Sequence, residues 1–365
     1  MKTKISILLG VFAVMALSNT IVPVLPFFAD ESPAIQGAIF SAYFMGAFLT
    51  VLPAGIFSDR IGKIPLIRVG LVLTVISGIV MYIFPEVYLV VFSRLIEGIA
   101  AGLFVACAMS WVNEQADHRK LSGYFFACLN LGLVIGLVAA GLLSSPFGET
   151  SGILFFTLIS AIPMLTSLVA YEKFEKSYRK ADLKVVVLDY KWLYLSVIIL
   201  VGATGVVTSL YPEFTDNSPL LLSIQLGTMN VATIFASLIA PRFEISPIPA
   251  LKKSAIVMAF LVLLSYYIPE IHFMGVFLVF AMIGAIAGFI MISQMDYLAQ
   301  TGYLQGTVMG VYSAAAYAGM TFLPLFAGII AEESGYLPAF FVVAVLSFSV
   351  AFTITRCNIC KLENA

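Results

Sequence analysis

Charge is what this sequence has least of. Of its 365 residues only 11% are Asp, Glu, Lys or Arg, while 61% are hydrophobic. A water-soluble domain carries about a quarter charged residues, so an ordinary soluble domain is excluded and lipid is the expected solvent. Histidine is scarcer still. His118 and His272 are far apart, and no metal site is expected from them. Four cysteines, Cys107, Cys128, Cys357 and Cys360, give no disulfide framework. Cys357 and Cys360 form a single CxxC after the last apolar run, without a second pair or the βαβ setting of a redox motif, so reduced thiols are expected. No G-x-x-x-x-G-K-S/T loop is present to cradle phosphates, which argues against ATP hydrolysis in this chain. The net charge of -1 by itself argues neither for nor against nucleic acid. No cofactor, metal or nucleic-acid partner is expected. An intramembrane enzyme would need clustered His, Asp, Ser or Cys at the midplane, which the sequence does not offer.

Apolar runs fall near residues 5–29, 35–57, 65–84, 88–112, 121–145, 151–171, 192–211, 219–240, 253–268, 272–295, 304–330 and 336–356. A spanning helix takes about 20 apolar residues. Strands of a membrane barrel would alternate in ten-residue segments, and these runs do not. Helices satisfy their own backbone in lipid, so the expected fold is all-α and integral to the membrane, with twelve transmembrane helices. Lys2 and Lys4 ahead of ISILLGVFAVMAL resemble a secretory signal, but the run continues to Phe28 and is read as an uncleaved first span.

The connections on one side lack basic residues altogether. They carry Asp30, Glu31, Glu86, Glu149, Glu213, Asp216, Glu270, Glu332 and Glu333. Every Lys and Arg except Arg94 falls on the other side, which the positive-inside rule makes cytoplasmic. Both termini are then cytoplasmic, in a multi-pass protein of the cell (plasma or inner) membrane. The longest polar stretch, 172–191, is read as a cytoplasmic linker.

This linker sits at mid-chain between two halves that resemble each other. PFFADESP (Pro26 to Pro33) recurs as PEFTDNSP (Pro212 to Pro219), IFPE ending at Glu86 recurs as YIPE ending at Glu270, and GIAAG (Gly98 to Gly102) recurs as GAIAG (Gly284 to Gly288). In order and at similar offsets, these matches predict two six-helix bundles with pseudo-twofold symmetry, at 1–171 and 192–356, followed by a tail at 357–365. Such repeats characterise secondary transporters, with the substrate held near the midplane.

The most specific segment is GIFSDRIGKIPLI, Gly55 to Ile67, in the inner connection after the second run. Gly62 permits a sharp turn. Asp59 can accept from helix N-terminal amides, where the dipole favours negative charge. Arg60 and Lys63 can pair with carboxylates. The bland alternative is a basic anchor with a turn. The stretch closely resembles the major facilitator superfamily signature G-x-L-x-D-R-x-G-R/K: Gly55, Asp59, Arg60, Gly62 and Lys63 match, and Phe57 replaces the usual Leu. The resemblance implies bundles that exchange inward- and outward-open states, and a cytoplasmic gate built on these residues, with Glu114 and Asp117 as partners of Lys63 or Arg60. The second-half segment APRFEISPIP keeps Arg242 but has Pro241 where Asp would stand, and it is given no role.

RLIEGIAAG, Arg94 to Gly102, holds the one basic residue inside a span. A charge at that depth costs about 2.5–3.5 kcal/mol on insertion scales. Glu97, one turn on and on the same face, can neutralise it. The segment resembles the family's fourth-helix motif R-x-x-Q-G-x-G-A-A in Arg94, Gly98 and Ala101, with Glu97 for Gln and Ala100 for Gly. The resemblance implies proton coupling, with Glu97 binding and releasing the proton and Arg94 tuning it; a structural ion pair is the alternative. In the fifth run Gly132 and Gly136 fit the first two glycines of the antiporter motif, but Leu137 stands where Pro is expected. Close packing at Gly98, Gly102, Gly132 and Gly136 is the simpler reading. TIVPVLPFF, with Pro23 and Pro26, resembles the first helix of twelve-helix drug:proton antiporters; both prolines would kink a helix.

Asn19, Asn130, Gln225, Asn230 and Gln294 could line a substrate cavity or bond a neighbouring helix. Tyr43, Phe126, Tyr312 and Tyr317 could supply aromatic walls, and Asp296 is read as a solvated helix end. The resemblance implies a non-enzymatic secondary active transporter of a small solute, exporting amphipathic compounds in exchange for protons and acting as a monomer in the bilayer. An uptake permease for a small metabolite and a transport-inactive sensor are the alternatives.

Overall fold

The computed structural model describes residues 2–24, 28, 33–171, 183–211, 214–215, 219–243, 246–301 and 303–356. Among these there is no strand. The α-helices are α1 (Lys2–Thr20), α2 (Pro33–Ile61), α3 (Lys63–Ile83), α4 (Val87–Asn113), α5 (His118–Phe147), α6 (Ser151–Ser167), α7 (Leu183–Asp189), α8 (Lys191–Leu210), α9 (Pro219–Ile239), α10 (Pro247–Ile271), α11 (Phe273–Ala299), α12 (Gln305–Ser334) and α13 (Tyr336–Thr353). Among the described residues, eleven helices are long and apolar enough to cross a membrane, and α6 is a shorter apolar one.

Local chemistry accounts for the breaks. The first apolar run stops being α-helical at Thr20, and Pro23 sits in a 3-10 turn, Val22–Val24, because its ring has no N–H to donate. Pro26 and the middle of the linker lie outside the described residues. The short helix α7 is an element that the linker's polarity concealed; its Val-Val-Val-Leu core buries Val186. Between α2 and α3 the chain turns at Gly62, whose φ of 92° is a region L side chains rarely enter.

The chain divides into two compact units. One comprises Met1–Gln115, Cys128–Ala181 and Leu304–Ser313; the other comprises Ala116–Ala127, Asp182–Tyr303 and Ala314–Ala365. In the first unit Leu17, Ile21, Val24, Phe28, Met81 and Phe156 share a buried core. A Cβ on Gly98 would lie 2.8 Å from the Tyr43 carbonyl carbon, and one on Gly102 would lie 3.0 Å from the Ala47 oxygen, so α4 and α2 meet main chain to main chain. Gly136 presses likewise on Ala16, 2.8 Å from its carbonyl carbon, and Gly132 approaches Met15, joining α5 to α1.

The second unit repeats these contacts. A Cβ on Gly284 would sit 2.7 Å from the Met229 carbonyl carbon, and one on Gly288 would sit 3.0 Å from the Thr233 oxygen. Gly98 and Tyr43 recur 186 residues on as Gly284 and Met229 (284−98 and 229−43), and Gly102 and Ala47 recur at the same offset as Gly288 and Thr233 (288−102 and 233−47). The repeated octapeptide gives each unit a ring. Phe28 is buried in the first core, and Phe214 packs in the second against Tyr211, Tyr336 and Phe340 at 5.6, 5.3 and 5.5 Å.

Within the first unit Arg68 on α3 finishes α6. Its Nε donates to the Ser167 carbonyl (2.9 Å), and its Nη2 donates to those of Leu168 (3.2 Å) and Ala170 (2.9 Å). These carbonyls lie at and just past the end of α6, where a cation complements the dipole. Arg68→Ala is expected to destabilise the protein by about 1–2 kcal/mol, read as a lowered melting temperature in detergent; Arg68→Lys should recover part of the loss.

Candidate functional site

Asp59 occupies the last turn of α2 and is 6% exposed. Its Oδ1 accepts from the Gly306 amide at 2.8 Å, and its Oδ2 accepts from both the amide and the hydroxyl of Thr307 at 2.7 Å. Those two amides open α12, where main-chain donors have no helical partner and the dipole is positive. One carboxylate therefore caps a helix almost 250 residues away in sequence. The approach is possible because both sides are glycine. A Cβ on Gly55 would stand 2.7 Å from the Gly310 Cα, and a Cβ on Gly310 would stand 3.2 Å from the Leu52 oxygen.

Beside this cap Lys63 Nζ lies 2.8 Å from Glu114 Oε1, with the lysine side chain buried and the glutamate partly exposed. Asn113, the last residue of α4, donates to Gln305 Oε1 at 3.3 Å and approaches Met309 Sδ at 3.6 Å. One turn further along each helix, Ser313 Oγ approaches Met109 Sδ at 3.8 Å. Gly55, Asp59, Lys63 and Glu114 thus surround the start of α12, whereas Arg60 and Asp117 are exposed. Asn113, Gln305, Gly306, Thr307 and Gly310 were not singled out from the sequence. The small-residue run Gly306-Thr307-x-x-Gly310 at a helix start was the signal for the last three, and Asn113 and Gln305 had none.

Deeper in the first unit, Arg94 and Glu97 are 1% and 0% exposed. Arg94 Nη1 lies 2.5 Å from Glu97 Oε2 and donates to the Ser18 carbonyl at 3.1 Å. Its guanidinium stands 4.7 Å above the Tyr43 ring, a cation–π contact. Glu97 Oε1 and Arg94 Nε have no hydrogen-bond partner among the described residues. The pair is thus neutral as a whole yet retains one acceptor and one donor for a further group.

The amides considered for a cavity lie in different settings. Asn19 donates to the Leu133 carbonyl at 3.0 Å. Gln225 and Gln294 are fully buried, at 3.2 Å from Tyr211 Oη and 3.4 Å from Ser196 Oγ. Asn130 is buried and Asn230 half-buried. Tyr43, Phe126 and Tyr312 are buried, and Tyr317 is half-buried. Asp296 corrects an expectation: it is 7% exposed, not solvated, because α11 continues to Ala299, past the end of the apolar run. His118 Nδ1 lies 3.9 Å from its Oδ1, and Arg119 Nε lies 3.7 Å from its Oδ2. Cys357 and Cys360 lie outside the described residues.

Comparison with known proteins bears on the whole arrangement. The family profile described as Major Facilitator Superfamily matches residues 7–318. Monosaccharide-sensing protein 3 of Arabidopsis thaliana is 33% identical over 93 residues, 26% of this chain and 13% of that protein. Multidrug resistance protein 2 of Bacillus subtilis (strain 168) is 27% identical over 173 residues, 46% of this chain and 43% of that protein. Each of these matches spans less than half of the relative's own length. The crystal structure of the human organic anion transporter MFSD10 (TETRAN) superposes with a TM-score of 0.80 at 16% identity, covering 97% of this chain and 99% of that one. That identity establishes a shared fold alone.

Proposed function

Because the chain belongs to the Major Facilitator Superfamily, we propose that it is a secondary active transporter, a non-enzymatic carrier that moves a small solute by alternating access and exports amphipathic compounds in exchange for protons. In this reading α1–α6 and α8–α13 are the twelve spans, grouped as two six-helix bundles with pseudo-twofold symmetry and joined by a cytoplasmic connector. The Lys- and Arg-bearing connections and both termini face the cytoplasm, and the protein works as a monomer. Asp59, with Gly55, Gly62, Lys63 and Glu114, forms a cytoplasmic gate that closes on the first turn of α12. Asn19 and Asn230, less enclosed than the two glutamines, are the polar groups offered to substrate.

The observation that carries the coupling is the fully buried Arg94–Glu97 pair with one carboxylate oxygen left over. Intramembrane ionisable residues mark ion and proton paths by default. Burial and the adjoining guanidinium pull a carboxyl's proton affinity in opposite directions. A movement that separates the pair therefore changes whether Glu97 holds a proton. The few charges inside the spans suit an apolar or weakly polar solute.

The test is accumulation of a fluorescent amphipathic dye in inverted vesicles, with and without an imposed pH gradient. Wild type should accumulate dye only with the gradient. Glu97→Gln, which keeps the acceptor toward Arg94 but cannot release a proton, should reduce gradient-driven accumulation to the leak rate. Intact accumulation in Glu97→Gln removes Glu97 as the carrier. The sugar-sensing relative favours one rival, a membrane sensor on the same scaffold; it would move neither dye nor monosaccharide under either condition.

A further inference from the structure

The first unit holds buried hydroxyls that neither the gate nor the Arg94–Glu97 ion pair uses. Ser93 on α4 is 0% exposed, and its Oγ has no hydrogen-bond partner among the described residues. Buried hydroxyls are ordinarily paired, because burying one unpaired is costly. Ser93 stands one turn before Glu97 on the same side of α4, a spacing that leaves about 5–6 Å between Cβ atoms. Glu97 Oε1 is likewise without a partner.

The seam between α3 and α4 brings a second hydroxyl to this place. Three residues, 84–86, separate the two helices, which therefore run antiparallel. A Cβ on Gly70 would stand 2.8 Å from the Ala100 oxygen and 3.1 Å from Phe104 Cβ, which fixes the register. Seven residues make about two helical turns. Ser77 stands seven after Gly70 (77−70) and Ser93 seven before Ala100 (100−93), so the two serines share one level of the seam. Ser77 is fully buried, and its hydroxyl donates to the Thr74 carbonyl at 2.9 Å, which leaves its lone pairs to accept. One turn nearer the start of α4 the seam is apolar: Met81 and Val90 are buried in the shared core.

The ionisable groups at Glu97 are Arg94 on α4 and, through Arg94, Tyr43 on α2. α1 contributes the Ser18 carbonyl to the same pair. α3 carries ionisable side chains at Lys63, Arg68 and Tyr82, all away from this level, and α6 carries none. In this seam the hydroxyls are the polar groups next to Glu97.

We propose that Ser93 is the relay through which a proton from the outer side reaches Glu97, with Ser77 as the second hydroxyl of the path and Met81 and Val90 as its apolar closure. In the transfer Ser93 Oγ accepts a proton from a hydronium ion that has passed the closure. The serine's own O–H bond breaks, and that proton bonds to Glu97 Oε1. The serine ends as it began, the hydronium leaves as water, and Glu97 becomes neutral beside the Arg94 cation. A hydroxyl suits this step because it donates and accepts at once. The proposal rests on the coupling and the orientation of the transporter reading.

The test follows the carboxylic-acid carbonyl stretch of Glu97 by infrared spectroscopy after an acid jump, on full-length protein reconstituted in liposomes and sorted into its two orientations. The band is the one absent from Glu97→Gln. With acid applied to the outer face, Ser93→Ala should slow its appearance about a hundredfold, the low end for a positioned proton-transfer group. Ser77→Ala should slow it less, and Val90→Thr, which adds a hydroxyl with little change of shape, should speed it. In Ser93→Ala the pH of half-protonation and the melting temperature should stay with wild type, since a relay changes rates and not equilibria; a hydroxyl that merely braces the seam would move both. An equal slowing from either face or a moved midpoint overturns the relay. A band that rises at the wild-type rate in Ser93→Ala removes the relay alone, whereas no such band at any pH removes Glu97 as the carrier and the relay with it. Proton uptake needs no solute, so a failed dye assay with the slowing intact removes the transport reading and leaves the relay.

Discussion

Arg94→Ala is expected to destabilise the protein by about 3–5 kcal/mol, the range for removing one partner of a buried ion pair, and to be found chiefly in the aggregated fraction after extraction. Glu97 is fully buried, and its hydrogen bond comes from Arg94. Without the guanidinium it becomes a buried acid with no donor. The pair is not symmetric in this respect. Arg94 also bonds the Ser18 carbonyl and lies over Tyr43, so Glu97→Gln, whose amide oxygen can still accept, should cost distinctly less. Removing both charges with apolar residues of similar volume, Arg94→Met with Glu97→Leu, should recover most of the loss while abolishing coupling. Thermal unfolding of the purified variants in detergent gives the ranking. Arg94→Ala melting with wild type would mean that the pair contributes no stability where it sits.

Asp59→Asn is expected to release the start of α12. The native carboxylate accepts from two amides and one hydroxyl, and an asparagine can accept at only one of its two positions while its NH2 faces a donor. Hydrogen bonds to a charged group contribute about 1.5–3 kcal/mol each and are not additive. A shift of about 2 kcal/mol between states, or roughly thirtyfold, is the expected size. Maleimide labelling of Ser313→Cys from the inner side should rise by that factor, and Asp59→Glu, with its longer reach, should restore little because Gly306 leaves no room. No change in labelling would reduce Asp59 to a cap that stays closed in every state.

Much of the helix pattern was readable beforehand because each span is a long apolar run whose ends are marked by charge, Pro or Gly. The exceptions have particular causes. In the first run Pro23 cut the helix at Thr20, although hydropathy continued. Polar neighbours masked α7. Asp296 looked solvated because an apolar run is a poor guide to where a helix stops: α11 carries four more residues and takes Asp296 into a buried position. The site was legible on one side only. The chemistry of Asp59 pointed to a helix N-terminus but could not say which one, since Gly306 and Thr307 lie 247 and 248 residues away and contribute amides that no motif records. By contrast, the repeat was readable as words, and its words became contacts: at GIAAG and at GAIAG helices touch main chain to main chain.

The Asp59 cap has a consequence for how this protein can drift. Two of the three donors it engages are peptide amides, which every genetic code word but proline supplies. Most substitutions at Thr307 keep one of those donors and lose only the hydroxyl, whereas almost any change at Asp59 removes the acceptor for all three. Inherited variation should therefore fall unevenly on the partners: tolerant at 307, narrow at 306 for want of space, and nearly closed at 59.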